Sequence, residues 1–286
     1  MMTNPDVLPL LTRIADALDR IAPAPVSGKV LTPADGYVWD KQLGHCQAVP
    51  TISRIPLSLL KGIQPQIDKL YANTKAFAEG KLANNALLWG ARGTGKSSII
   101  KAVHGQIQSE GYDLAIVEIA REDIEDLPRL MQYLATQDRS FIVFCDDLAF
   151  EAAESSYKAL KAALEGGLTG RPSNVVFYAS SNRRHLMSRQ MIENERSSAV
   201  NPSEATEEKV SLSDRFGLWI GFHSLDQDAY LAIVNGYISH FALPISEEDA
   251  RSLALQWAME RGNRSGRTAS QFIVHLAAKL DQKISF

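Results

Sequence analysis

The 286-residue sequence has few cysteines and no long apolar run, and both absences narrow its class. Cys46 and Cys145 are too few for a disulfide framework, which favours a reducing cytoplasm. No apolar stretch approaches the ~20 residues that cross a bilayer, and the first residues lack the basic and then apolar pattern of a secretory signal. We therefore expect a cytoplasmic protein without a membrane partner. A net charge of −3 gives no global basic field for nucleic acid, although a local basic patch is compatible with it.

The most specific motif is a glycine-rich segment that lies between an apolar run and a helical pattern. Gly90–Ser97 fits G-x-x-x-x-G-K-[ST], the apolar run 86–89 precedes it, and apolar residues at helical spacing follow it. In a strand–loop–helix unit the glycines let backbone N–H groups surround a phosphate, and the helix N-terminus favours the same anion. Lys96 would contact the β- and γ-phosphates and Ser97 would hold Mg²⁺, so the motif predicts ATP and Mg²⁺ as cofactors. The predicted cofactor-binding residues of this loop are Gly90, Ala91, Arg92, Gly93, Thr94, Gly95, Lys96, Ser97 and Ser98.

Apolar runs alternate with helical patterns downstream of residue 65, which predicts an α/β fold with a parallel sheet covered on both faces. A change from strands to helices near residue 223 predicts an α/β domain over 65–222 and a helical lid over 223–286. The predicted strands are 86–89, 114–119, 141–145, 175–179 and 218–222, and the predicted lid helices are 226–242, 246–261 and 266–282.

The N-terminal quarter of the chain has a different pattern. Apolar residues over 6–21 repeat with the spacing of a helical seam, which fits a coiled coil and a single amphipathic helix docked on its own domain equally well. This predicted helix and the Pro-rich linker after it make up segment 1–28. Residues 29–64 are predicted to form an irregular or short-stranded arm. Residues 188–209 are polar and rich in Ser, Glu and Asn, which predicts a loop.

Polar residues follow three of the predicted strands, at the sheet edge where α/β proteins bind ligands. Asp146 and Asp147 follow strand 141–145, which assigns Asp146 to Mg²⁺ and Asp147 to a water molecule; a solvated acidic turn is the alternative. Asn182 follows the next strand and is a candidate to contact the γ-phosphate or the attacking water, or else a turn residue. Two arginines are candidates for stabilising transition-state charge. Arg215 could do so at the nucleotide of a neighbouring subunit, and its alternative is a surface ion pair with Asp214. Arg267 could do so from the start of the last helix, and Arg264 is a competing candidate for this part.

Taken together, these motifs resemble those of AAA+ ATPases. The resemblance covers roughly residues 55–285 and identifies Gly90–Ser97 as Walker A, Phe141–Asp147 as Walker B, Asn182 as sensor 1, Arg215 as an arginine finger and Arg267 as sensor 2. Upstream, Leu59–Ile63 resembles the AAA+ box that packs on the adenine, which makes Gly62 and Ile63 candidate nucleotide-binding residues. The resemblance also implies that this chain has a P-loop NTPase fold with a five-stranded parallel sheet in the order 5-1-4-3-2. More narrowly, the segments NNALLWGARGTGKSS, CDDLAFE, SSNRRHL and LSDRFGLW are similar to a bacterial family of predicted ATPases, domain of unknown function 815.

Two departures from the AAA+ pattern shape the expected function. Walker B ends Asp146-Asp147, where Asp-Glu is usual, so hydrolysis is expected to be slow or activated by a partner. Residues 118–123 lack the aromatic and glycine of a pore loop, which argues against threading of polypeptides. We therefore expect a Mg²⁺-dependent ATP hydrolase that forms a homo-oligomer and acts on an unidentified protein client. A DNA-associated loader, suggested by the basic cluster 183–185, and a nucleotide-gated scaffold without turnover remain alternatives.

Overall fold

The computed structural model describes residues 13, 31–150, 154–166, 170–184, 186 and 215–286. The predicted helix over 6–21, apart from Arg13, and the predicted loop over 188–209 lie outside these residues. In the described part of the chain, every helix is too short or too polar to cross a membrane.

A seven-stranded sheet forms the centre of the fold, with its strands in the order β2-β1-β4-β5-β6-β3-β7. Only the β1–β2 pair is antiparallel, and every other neighbouring pair is parallel. The strands are β1 (Gly36–Asp40), β2 (His45–Val49), β3 (Ala86–Gly90), β4 (Leu114–Glu118), β5 (Ser140–Cys145), β6 (Val175–Ser181) and β7 (Leu218–Phe222).

The expectation of a five-stranded, wholly parallel sheet was wrong, because the arm over 29–64 contributes two further strands. These strands form a hairpin, and β1 pairs in parallel with β4. The hairpin is stable there because its residues alternate: Tyr37 and Trp39 are buried, whereas Val38 between them is 42% exposed. The hairpin thus satisfies the backbone groups along an edge of β4 that would otherwise be open.

Seven α-helices lie within the described residues, and local sequence signals mark where two of them begin. Ser246 and Ser265 cap the last two helices by accepting a hydrogen bond from the backbone N–H three residues on. The helices are α1 (Gln64–Ala78), α2 (Lys96–Ser109), α3 (Leu127–Ala135), α4 (Glu154–Glu165), α5 (Gln227–His240), α6 (Glu247–Arg261) and α7 (Gly266–Lys279), with short 3-10 turns at Leu57–Leu59 and Arg121–Asp126.

The sheet has apolar cores on both faces, and the last three helices have a core of their own. Helices α3 and α4 cover the face that includes Val143 and Phe177, and α1 and α2 cover the face that includes Ile142. Helices α5, α6 and α7 pack around Tyr230 together with Leu59, a residue of the first 3-10 turn. This arrangement places the C-terminal ends of β3, β5 and β6 at one edge of the sheet, beside the three-helix cluster, which we call the lid.

Candidate functional site

The glycine-rich segment Gly90–Gly95, which we call the phosphate loop, has a backbone that only glycine adopts readily at three positions. Gly90, Gly93 and Gly95 have φ values of 138°, 73° and 98°. A Cβ on Gly90 would collide with the carbonyl oxygen of Phe222, the last residue of β7. Gly95 directly precedes α2, so the loop ends at a helix N-terminus. The segment therefore has the close backbone approach and the helix N-terminus of a phosphate-binding loop.

Lys96 is buried, and its ammonium group is directed into this loop. Its Nζ donates to the carbonyl oxygens of Gly90 at 2.9 Å and Ala91 at 2.7 Å, and to Oδ1 of Asn182 at 3.0 Å. Burial lowers the pKa of Lys96, and the nearby carboxylates of Asp146 and Asp147 partly oppose this effect. An anion bound in the loop would compensate the ammonium charge better than carbonyl oxygens do.

Asp146 meets the hydroxyl of Ser97, as the metal assignment from sequence requires. The Ser97 Oγ donates to Oδ1 of Asp146 at 2.5 Å, joining the start of α2 to the end of β5. The Ser180 hydroxyl donates to the same oxygen, and the Asp147 backbone N–H lies 3.1 Å from it. A serine hydroxyl beside a carboxylate is a hard oxygen donor pair, which is the chemistry that Mg²⁺ prefers.

Asp147 and Asn182 also lie together. The Asn182 Nδ2 donates to Oδ1 of Asp147, so this amide contacts both Asp147 and Lys96. Asp147 has a φ of 51°, in the left-handed region that Asp and Asn adopt more readily than other side chains with a Cβ. Its backbone N–H is also held 3.0 Å from the Ser180 Oγ. The structure thus brings four predicted site residues, Lys96, Asp146, Asp147 and Asn182, into one polar cluster.

A cavity of about 1150 Å³ extends from this cluster to the lid. Its lining includes Arg92–Ser98, the two carboxylates and Arg267, which lies in the first turn of α7. Arg264, the competing candidate, does not line this cavity. The backbone N–H of Gly266 donates to the carbonyl oxygen of Gly93 at 2.8 Å, so the N-terminus of α7 contacts the phosphate loop directly.

Gly62 and Ile63 pack between the phosphate loop and α5. Ile63 is 6% exposed, lines the cavity and lies against Gly95. Gly62 has a φ of 78°, and a Cβ there would be 3.1 Å from the Cβ of Ala229 in α5. Only Ile63 of this pair lines the cavity, so Gly62 contributes a close backbone contact with the lid and no surface for a base.

Arg215 does not line the cavity of its own chain. Its Nε donates to Oε1 of Glu165 at 2.7 Å, at the end of α4, and its Nη2 contacts the same oxygen. The predicted alternative partner, Asp214, lies outside the described residues. Action of Arg215 on a neighbouring subunit therefore stays a prediction.

The sequence analysis did not identify Ser180 as a site residue. Ser180 is buried, and its hydroxyl donates to Asp146 and accepts from the Asp147 backbone N–H. Its position directly before Ser181-Asn182, at the C-terminal end of a buried strand, was the available signal.

The residues present fit a magnesium–triphosphate group. The loop excludes side chains where phosphates would lie, a buried lysine faces it, and an adjacent hydroxyl–carboxylate pair offers oxygen ligands. Ser97 and Asp146 would hold the ion, and Lys96 with the loop N–H groups would hold the phosphates.

The family described as "protein of unknown function (DUF815)" matches residues 32–280. The chain belongs to this family. The resemblance drawn from the four sequence segments is thereby confirmed, and the match spans the sheet, the phosphate loop and the lid of this DUF815 protein. No curated protein matches the chain.

Solved structures similar to this DUF815 chain include the Thermotoga maritima RuvB Holliday junction branch migration motor. That structure has 14% identity and a TM-score of 0.46, and the alignment covers 78% of this chain and 71% of that one. A single-substitution variant of the same Thermotoga maritima protein has 12% identity and a TM-score of 0.45, with 80% and 85% coverage.

Proposed function

We propose that this DUF815 protein binds ATP with Mg²⁺ and hydrolyses it in the manner of an AAA+ ATPase. The contact between the Ser97 hydroxyl and the Asp146 carboxylate carries the proposal. It joins the phosphate loop to the acidic strand end, as Walker A and Walker B residues must be joined to hold one ion.

Each side chain of the cluster has a distinct part in the proposed reaction. Bound Mg²⁺ would supply charge neutralisation at the phosphates. Lys96 exchanges its bonds to loop carbonyls for bonds to phosphate oxygens, and it then stabilises the charge that develops on them. The Asp147 carboxylate orients water and accepts its proton, and the Asn182 amide fixes that carboxylate. Arg267 reaches the same cavity from the lid and adds positive charge.

The contact between the lid and the phosphate loop supports a coupling of nucleotide state to lid position. Gly266 bonds to Gly93, and Arg267 follows directly, so a ligand that moves this loop or attracts this arginine must also move α7. We extend the proposal to a homo-oligomer in which Arg215 acts on the neighbour's nucleotide, and to an unidentified protein client that responds to the lid.

The test compares wild type with Lys96→Ala and with Lys101→Ala, a charge-matched control on the same helix α2. We expect wild type and Lys101→Ala to bind ATP with Mg²⁺ and release phosphate, and Lys96→Ala to lose binding. Mass measured with and without ATP on the same samples reports oligomer formation. Wild type that fails to bind ATP would overturn the proposal.

If wild type binds ATP but releases no phosphate, either alone or with candidate partners, the protein is a nucleotide-gated scaffold and not a hydrolase. DNA is a weaker partner candidate, because the guanidinium of Arg184 lies 5.2 Å from the Trp89 ring centroid and is already engaged within the chain.

A further inference from the structure

The cavity of the proposed ATP site has a phosphate end and an apolar end, and helix α7 runs between them. Arg267 lines the cavity in the first turn of α7, beside the phosphate loop. Val274 and Ala278 line it further along the same helix. At a rise of 1.5 Å per residue, Ala278 lies about 16 Å along the helix from Arg267. A triphosphate bound at the loop therefore leaves the apolar end for its nucleoside.

Residues 281–286 leave α7 at this apolar end and cross to α5, and we call them the crossing segment. Asp281 has a φ of 54°, in the left-handed region that Asp adopts more readily than most residues. Its backbone N–H donates to the carbonyl oxygen of Ala278 at 3.2 Å, and the N–H of Gln282 donates to that of Ala277 at 2.8 Å. These are the two bonds of a Schellman motif, which ends the helix and lets the chain leave its axis.

Phe286, in the crossing segment, contacts two aromatic side chains of the lid, Tyr237 in α5 and Phe241 directly after it. Its ring centroid lies 5.4 Å from that of Tyr237 and 5.2 Å from that of Phe241, and both contacts are edge to face. Ile284, two residues earlier, packs against the core of the lid. Side-chain packing thus fixes the position of the Phe286 ring.

The Phe286 ring is held in place but is not covered. It is 46% exposed, whereas Tyr237 beside it is buried, and both rings line the cavity together with Ile233. An open aromatic surface inside a concave, otherwise apolar wall is the usual setting for a ligand group that is itself flat and apolar. Nucleobases meet this description, because every base has a face that packs on an aromatic ring.

We propose, on the basis of the ATP site proposed above, that Phe286 contacts the nucleoside of the bound nucleotide. The crossing segment is then part of the nucleotide site. A phenyl ring offers no hydrogen-bond donor or acceptor, so this contact adds affinity for a base without selecting among bases. The phosphates lie at the opposite end of the cavity and gain nothing from it.

The experiment uses the full chain as wild type, Phe286→Ala, Phe286→Tyr and Ile284→Ala. Ile284 is the matched control, because it belongs to the same segment and packs on the lid but does not line the cavity. The probes are ATP and inorganic tripolyphosphate, each titrated with Mg²⁺ by calorimetry, and the melting temperature is measured on the same samples. Phe286→Leu, which keeps an apolar contact with the lid, replaces Phe286→Ala if that variant does not fold.

We expect ATP to bind Phe286→Ala about tenfold more weakly than wild type, equivalent to about 1.4 kcal/mol, and tripolyphosphate to bind both equally. Phe286→Tyr should keep the wild-type affinity for ATP, because it keeps the ring. Ile284→Ala should lower the melting temperature and leave the affinity for ATP unchanged.

Three results would overturn the proposal while leaving the ATPase proposal intact. The first is wild-type affinity for ATP in Phe286→Ala. The second is an equal loss of affinity for ATP and for tripolyphosphate in that variant, and the third is an equal loss of affinity for ATP in Ile284→Ala. The last two would assign Phe286 to the packing of the lid. Wild type that binds neither probe would overturn the ATP site itself, and the part of Phe286 with it.

Discussion

The backbone N–H of Gly266 donates a 2.8 Å hydrogen bond to the carbonyl oxygen of Gly93, and this bond joins the lid to the tip of the phosphate loop. The two residues also pack closely, since a Cβ on Gly266 would be 3.2 Å from the same oxygen. Substitutions at this contact should therefore affect the lid and the nucleotide together.

Gly93→Ala should weaken nucleotide binding by pushing the lid away from the loop. A Cβ on Gly93 would lie 2.9 Å from Ser265, and the φ of 73° adds strain of about 1 kcal/mol. Gly111→Ala is the matched control, because Gly111 has a φ of 91° and no heavy atom near its Cβ position. We expect both variants to lose thermal stability from strain, Gly93→Ala to lose more because of the added contact with Ser265, and only Gly93→Ala to lose ATP affinity. Equal ATP affinity in the two variants would contradict the lid contact.

Asp147→Asn and Asp147→Glu should separate the charge of this residue from its backbone conformation. Asn retains access to the left-handed region and removes the carboxylate, so we expect near-native stability and phosphate release reduced about 100-fold or more. Glu retains the charge and pays about 1 kcal/mol for a φ of 51°, which should lower the melting temperature by a few degrees. Full turnover by Asp147→Asn would exclude Asp147 as the base.

Ser180→Ala should weaken Mg²⁺ binding, because the hydroxyl orients the Asp146 carboxylate and accepts from the Asp147 N–H. We expect a stability loss of about 1–2 kcal/mol and a higher Mg²⁺ requirement for phosphate release. Ser181→Ala removes a neighbouring buried hydroxyl that accepts from the Arg183 N–H. A Mg²⁺ titration that shifts equally in both variants would mean that Ser180 has only a structural part.

His104 should make the stability of the protein depend on pH between about 6.5 and 4. This side chain is fully buried, and burial lowers its pKa from 6.5 to about 4. The unfolded chain therefore binds the proton more readily, so stability is lost as pH falls through this range, by on the order of 3 kcal/mol. Denaturant unfolding at several pH values gives the free energy of unfolding as a function of pH. This free energy should depend less steeply on pH in His104→Gln than in wild type. His240→Gln, at the exposed end of α5, is the control and should keep the wild-type dependence.

Arg215→Ala should spare ATP binding and remove turnover, if Arg215 acts on a neighbouring subunit's nucleotide. Its pairing with Glu165 offers a structural explanation for any loss, so Glu165→Ala is the control. We expect Glu165→Ala to retain most of the phosphate release. Equal loss in both variants would assign Arg215 to the support of α4, and turnover equal to wild type in Arg215→Ala would remove the finger assignment.

The α/β fold and the cluster at the strand ends could be predicted because their signals are local. Strand, loop and helix follow one another around Gly90–Ser97, and the parallel strands bring Asp146 and Asn182 to the same edge whatever the loops between them do. The predicted bounds of β7, 218–222, agree with the structure, because a short apolar run between turn residues has few alternatives.

The hairpin and Ser180 show where the sequence was insufficient. The alternation of Tyr37 and Trp39 spans only five residues among prolines, and its pairing with β4 joins segments about 80 residues apart, which no local pattern encodes. Ser180 is one hydroxyl in a pair of serines, and only the strand register shows that it, and not Ser181, faces Asp146. Arg267 lines the cavity beside the phosphate loop and Arg264 does not, and this difference depends on how the folded lid packs against the loop.

The hairpin also has a practical consequence for work with shorter forms of this protein. If the chain were cut after Val49 to isolate the phosphate loop and lid, the outer edge of β4 would lose its neighbour β1. The exposed row of N–H and C=O groups would run along Ile116, Val117 and Glu118, and the first two of these are nearly inaccessible in the intact fold. Such an edge is a template for pairing with other chains. A truncated protein of this kind is expected to aggregate, and inactivity measured with it would report lost solubility instead of a lost catalytic residue.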